Sequence, residues 1–150
     1  DSRNTIMEYK GVTIVAPNES EAGIAAGMEI DETNVLLAGK KLLKELGTEA
    51  VIITRGNQGM ILFEKNGNTK RIPISGTKEI TDVTGAGDTV TAILAIAYAS
   101  GTTSLQAARL SNFGAAVVVM KNGTAPLSRS EMIKIIEKES GDQGLGIGDQ

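Results

Sequence analysis

The sequence predicts an α/β layer protein, and three observations carry this. Aromatic residues are only 3% and Trp is absent, so Ile, Val, Leu and Ala must build the core; such a core favours parallel sheet covered by helices. AVIIT, at Ala50–Thr54, is a continuous apolar run of β-branched character, the pattern of a strand buried on both faces. Segments with helical spacing stand before and after it, which fits helices layered on a sheet.

The elements follow in order. Residues 1–10 are polar, and the first strand lies in GVTIVAP (11–17), with Val12, Ile14 and Val15 apolar and Pro17 ending the run. Asn18 is placed to cap a short helix, ESEAGIAAG, closed by Gly27. Asp31 is placed to cap a longer one in which Val35, Leu36, Leu42, Leu43 and Leu46 recur at helical spacing before Gly47. After AVIIT come MILFEK and TKRIPI, joined around Asn66-Gly67-Asn68, where Asn-Gly signals a hairpin. Two apolar helices are predicted at 88–100 and 104–121, the second starting at Thr103 or Ser104. Ser128 and Glu131 form a capping box for a last helix, EMIKIIEKE. From Gly141, GDQGLGIGDQ holds four glycines in ten residues and reads as a flexible tail or linker. The expected division is therefore 1–140 as the domain and 141–150 as the tail.

The two apolar helices raise a difficulty. Val90, Ile93, Leu94, Ile96, Leu110, Phe113, Val117, Val118 and Val119 leave them apolar on nearly all sides, and such helices are buried. One or two core strands and a hairpin are too few to cover them. The sequence is therefore expected to be part of a larger protein whose sheet continues beyond it.

Composition narrows the chemistry. Net charge is −3 with no Lys/Arg block, which argues against a nucleic-acid surface. Without Cys there is neither a disulfide framework nor a Cys-based zinc site. Without His, metal binding falls to oxygen ligands, which suit magnesium, and a general base must be sought among the carboxylates. No apolar run is long enough to span a membrane, and a cytoplasmic protein is expected.

DVTGAGDTVTAILAIA (82–97) is the most informative stretch. A helix N-terminus carries unpaired N–H groups and about half a positive charge, so it favours anions. Gly85 and Gly87 let the backbone approach a ligand closely. Gly85, Ala86, Gly87 and Asp88 together can aim several N–H groups at one developing anion. A carboxylate beside them can accept the proton of an attacking hydroxyl, the pairing that phosphoryl transfer needs. Asp is also a common helix cap and glycine-rich turns precede many helices, so the residues alone leave both readings open. No P-loop pattern is present, and the dinucleotide pattern fails because its third glycine position holds Val90.

This segment closely resembles the C-terminal signature of the ribokinase-like (PfkB) carbohydrate kinases. The resemblance runs from Gly11 to Pro126, with PNESEA, TRGNQGMILF and SNFGAAVVVMKNGTAP in the order that family shows. Within the family the wording is most like bacterial heptose-phosphate kinases, which phosphorylate the anomeric hydroxyl of a heptose 7-phosphate. The resemblance implies a ribokinase-like three-layer α/β/α fold, here a truncated C-terminal, nucleotide-binding part. It implies phosphoryl transfer from ATP, with magnesium, to a hydroxyl of a sugar or sugar phosphate in ADP-heptose and lipopolysaccharide core precursor synthesis. For the intact protein a homo-oligomer, a dimer, is expected.

The same resemblance assigns roles. Asp88 matches the catalytic base, and Gly85, Ala86 and Gly87 match the anion hole. Asp82 heads the loop and supports it. Thr54 and Gly56 match the turn that contacts the nucleotide, and Asn112 a position near the adenine or ribose. Asn18 and Glu21 match an N-x-x-E element that influences magnesium indirectly. Each keeps a structural reading: Asn18 and Glu21 as a capping pair, 54–59 as a strand-to-strand turn, and Asn112 as a solvent-facing or backbone-bonded amide. Two rival functions also stand: a related kinase acting on ribose, fructose or a nucleoside, and a non-catalytic nucleotide-binding or assembly domain.

Overall fold

The computed structural model describes residues 5–75, 85–121 and 126–142. The strands are β1 (Ile14–Val15), β2 (Ala50–Thr54), β3 (Met60–Glu64) and β4 (Thr69–Ile72). The helices are α1 (Glu19–Ala26), α2 (Val35–Leu46), α3 (Ala86–Ala99), α4 (Ser104–Val118) and α5 (Arg129–Asp142).

The strands form one sheet in the order β1-β2-β3-β4. β1 is parallel to β2, whereas β2–β3 and β3–β4 are antiparallel. The sheet is thus mixed, which corrects the expectation of a parallel one. The connections explain it: the turns at 55–59 and 65–68 are too short for a crossover and can only reverse the chain. At the second turn Gly67 has φ 93°, and the Asn68 amide donates to Asn66 Oδ1 at 2.9 Å.

Alternation along the strands divides the core in two. Val51, Ile53, Ile61 and Phe63 point to one face and pack on Ala22, Ala26, Val35, Ala38, Leu42 and Leu46 of α1 and α2. Ala50, Ile52, Met60, Leu62 and Ile72 point to the other and join a cluster with Val90, Leu94, Ala97, Ala107 and Ala108 of α3 and α4. This makes three layers, α/β/α, with the AVIIT strand buried on both faces as expected. Each large side chain removed from water contributes roughly 1.5–3 kcal/mol before entropy is charged against it.

Three boundaries differ from the sequence reading. β1 is only two residues long, and just before it the carbonyls of Val12 and Thr13 accept the buried Thr48 hydroxyl, at 2.6 and 2.8 Å. α2 starts at Val35 with Asn34 at its N-cap position. Asp31 instead organises the preceding turn, where its Oδ1 accepts from the Thr33 amide and hydroxyl and the Asn34 amide. Those donors, the Thr33 hydroxyl foremost, hold its carboxyl below the usual range. α5 begins at Arg129 behind the expected Ser128–Glu131 capping pair and reaches Asp142, two residues into the expected tail. The rest of that tail lies outside the described residues.

α4 starts where expected, with Thr103 and Gln106 forming a reciprocal capping box. It lies along β3 and β4, and α3 lies chiefly on α4. Gly114 permits this approach, since a Cβ there would run into the Ile93 side chain. Ile93 meets Gly114 and the Tyr98 hydroxyl meets Ser104 Oγ at 3.0 Å, so the two helices are antiparallel. As expected from the small number of strands, α3 is not covered on all sides. Ala92, Ala95 and Ile96 are exposed, Ile96 by 68%, because the sheet does not reach that face.

Candidate active site

The motifs on the two sides of the sheet meet at the carboxyl ends of β2 and β4, the edge where open α/β sheets bind ligands. The Thr54 amide at the end of β2 donates to the Pro17 carbonyl at 2.9 Å, and Asn18 forms an isolated parallel bridge with Thr54. PNESEA and TRGNQG therefore lie side by side, although they are separated by α1 and α2 in the chain. Asn18 Oδ1 accepts from the Glu21 amide at 2.9 Å, and Glu21 Oε2 accepts from the Asn18 amide at 3.0 Å. The two side chains thus form the capping box that starts α1.

The turn after Thr54 is tightly built. The Arg55 amide donates to the Gly59 carbonyl at 2.8 Å, enclosing a 3₁₀ turn at Gly56–Gln58. Gly59 has φ 81°, and a Cβ there would strike the Ile72 carbonyl and the backbone after it. The turn therefore rests against the exit of β4. That exit is held in turn by Asn112 of α4: its Nδ2 donates to the Pro73 carbonyl at 2.7 Å and to Ser75 Oγ at 2.9 Å. Asn112 is buried and faces the sheet, and solvent is not its partner.

Asp88 sits in the first turn of α3 and is exposed, as is Gly87. Gly85 occupies the N-cap in a left-handed conformation, φ 80°, and brings no side chain to cap the helix. α1 and α4 both close their first turns with capping boxes, so the start of α3 is built differently. A carbon atom at the Cβ position of Gly87 would meet nothing within 4 Å, leaving room for a ligand to reach the backbone. Because α3 and α4 are antiparallel, this turn lies at the same end of the pair as the half of α4 that carries Asn112. Asp82 lies outside the described residues.

Arg55 belongs to this region and is not singled out by the sequence. Its side chain is only 3% exposed. Nε donates to Glu19 Oε1 and Nη1 pairs with Glu32 Oε1, both at 2.7 Å, while Glu32 Oε2 also takes Arg71 at 3.2 Å. Burial by itself would lower the Arg55 pKa, but its hydrogen bonds to the two carboxylates, with their charge, outweigh it and raise it. The sequence signal for it is a cation at the junction of a mostly apolar strand and a glycine turn.

No group of three or more Asp and Glu side chains is clustered among the described residues. Asn18 and Glu21 supply oxygen donors only, and at a surface. That fits magnesium held mainly by water and phosphate oxygens, with the protein contributing at its periphery, and it does not fit a transition-metal cage.

A sequence model described as pfkB family carbohydrate kinase matches residues 1–131. The bifunctional protein HldE of Geobacter metallireducens is 43% identical over 131 residues, which cover 87% of this chain and 26% of that protein. The protein of the same name from Shewanella amazonensis is 38% identical over 139 residues, 93% of this chain and 29% of that one. The chain thus spans under a third of the length of these relatives. Arabidopsis thaliana ribokinase, solved with ribose and ATP, superimposes with a TM-score of 0.76 at 27% identity, covering 89% of this chain and 43% of that one.

Proposed function

The chain belongs to the pfkB family of carbohydrate kinases, and from that premise we propose that it is the nucleotide-binding portion of an ATP-dependent kinase acting on heptose 7-phosphate. Asp88 accepts the proton of the attacking sugar hydroxyl. The backbone N–H groups of Gly85, Ala86 and Gly87 stabilise the charge that develops on the transferring phosphoryl group. Thr54 and Gly56 present the turn that holds the nucleotide, and Asn112 fixes the neighbouring wall next to the adenine or ribose. Asp82 supports the loop before the anion hole. Magnesium bound with ATP would neutralise phosphate charge, and Asn18 and Glu21 are the residues that would influence it indirectly.

One observation carries this reading: an exposed carboxylate three residues beyond the glycine that opens α3, at the end of the fold where Asn18, Thr54 and Asn112 also gather. The acceptor is supported by the resemblance of the motifs to heptose-phosphate kinases. The likeness to a ribokinase solved with ribose keeps a pentose as the second reading. A dimer of the intact protein and a cytoplasmic setting belong to the same reading. No helix among the described residues is long and apolar enough to cross a membrane.

The test is Asp88→Asn in the intact kinase, assayed with heptose 7-phosphate and with ribose. Turnover should fall by about 10²–10⁴ while magnesium–ATP affinity stays within about twofold. Near-normal turnover removes Asp88 as the base, and preference for ribose replaces the acceptor.

A further inference from the structure

We infer that Arg55 is a positioning residue that locks the N-x-x-E element at the start of α1 to the nucleotide-facing turn after β2. The inference rests on the kinase reading above and adds a residue to it. Arg55 lies between Thr54 and Gly56, while its guanidinium reaches Glu19, the first residue of α1, directly after Asn18. One buried side chain thus ties together two segments that the kinase reading requires to act on the same magnesium–nucleotide complex. The backbone contact between them is slight, consisting of the Thr54–Pro17 hydrogen bond and the lone bridge at Asn18. A sliding or tilting of α1 by even a fraction of a helical turn would displace Asn18 and Glu21 from Thr54 and Gly56. The guanidinium resists this because it is nearly desolvated and its planar fork holds two separate carboxylates. Glu32, on the approach to α2, takes the other arm and also holds Arg71 of β4, so only the Glu19 arm leads to the start of α1.

That difference supplies the test. The intact kinase carrying R55M, R55K, E19Q or E32Q is titrated calorimetrically with magnesium–ATP and assayed over a range of magnesium–ATP concentrations. R55M and E19Q should each raise Kd and KM for magnesium–ATP about tenfold, with kcat changed less than about twofold. The double variant R55M/E19Q should be no weaker than R55M, since the pair acts as one unit. R55K should fall between wild type and R55M, because an ammonium cannot hold both carboxylates with one rigid fork. E32Q should lower the melting temperature and leave Kd near wild type. If R55M fails to fold, the comparison of E19Q with E32Q decides, because both carboxylates are partly exposed and their replacements keep side-chain volume. Equal Kd values for E19Q, E32Q and wild type overturn the positioning role alone. Failure of the wild type to bind magnesium–ATP overturns it together with the kinase reading.

Discussion

Asn112 of α4 and Pro73 at the exit of β4 are joined by a hydrogen bond of 2.7 Å from the Asn112 side-chain nitrogen to the Pro73 carbonyl. The same nitrogen reaches Ser75 Oγ, so both of its protons are committed inside the fold. Removing the amide strands a carbonyl and a hydroxyl in a nearly dry place. Asn112→Ala should therefore cost about 1–3 kcal/mol in urea unfolding. Asn112→Asp should cost more at neutral pH, since it sets a carboxylate against the Pro73 carbonyl. An Asn112→Ala protein as stable as wild type would mean that this tie contributes nothing.

How much of this was legible depends on how local the cause is. AVIIT declares a strand because four apolar residues run together before a β-branched threonine, and Asn66-Gly67 declares a reversal because few other pairs accept its backbone geometry. The caps at Asn18 and Ser128 act within three residues and were readable for the same reason, although Asp31, just as local, organises a turn and does not cap α2. What could not be read is the choice of distant partners. The Arg55–Glu19 and Asn112–Pro73 bonds join residues 36 and 39 apart, and no periodicity encodes them. The Thr48 hydroxyl likewise bonds the carbonyls of Val12 and Thr13, more than thirty residues away. In the site, the glycines around Asp88 announce an open helix start, whereas the convergence of PNESEA with TRGNQG depends on the parallel pairing of β1 and β2.

Gly39 in α2 faces the ring of Phe63, which is 1% exposed, and a Cβ there would overlap the ring. Two effects oppose each other in Gly39→Ala. Helix propensity favours alanine by about 1 kcal/mol. Overpacking against a ring that cannot retreat costs about 1–3 kcal/mol. The second should win, giving a net loss in urea unfolding, and Phe63→Leu in the same chain should recover part of it. A Gly39→Ala protein more stable than wild type would show that the ring has room to move.

The capping box of Asn18 and Glu21 can be separated from any part they play toward magnesium. Asn18→Ala removes the acceptor for the Glu21 amide and should cost about 0.5–2 kcal/mol. Glu21→Gln keeps an oxygen for the Asn18 amide, so thermal stability should change by less than about 0.5 kcal/mol. The negative charge is nonetheless gone. In the intact kinase, Glu21→Gln should therefore raise the magnesium concentration needed for half-maximal turnover severalfold. An unchanged magnesium curve would reduce Glu21 to a helix cap.

Glu131 gives α5 a pH-dependent anchor. The Lys121 ammonium, 2.8 Å away, acts most strongly, and the Ser128 amide and hydroxyl add to it; together they draw the Glu131 carboxyl from 4.5 to about 2. Lys121 also donates to the Pro126 carbonyl at 2.7 Å, so this ion pair fastens the start of α5 to the segment after α4. A carboxyl whose pKa is lower in the folded state than in the unfolded one stabilises the fold above its unfolded value, and that stabilisation drains away as pH falls toward the folded value. The contribution should therefore be complete near neutrality and decline from about pH 4.5 toward about pH 2. Other carboxylates titrate over the same range, so the informative quantity is the difference between wild type and Glu131→Gln. Amide hydrogen exchange in α5 should be slower in wild type than in Glu131→Gln at about pH 7, and the gap should narrow at about pH 3. Salt should shrink the part due to Lys121, which is exposed to screening, more than the part due to the Ser128 amide. A gap of the same size at both pH values would show that the charge of Glu131 does not hold the helix.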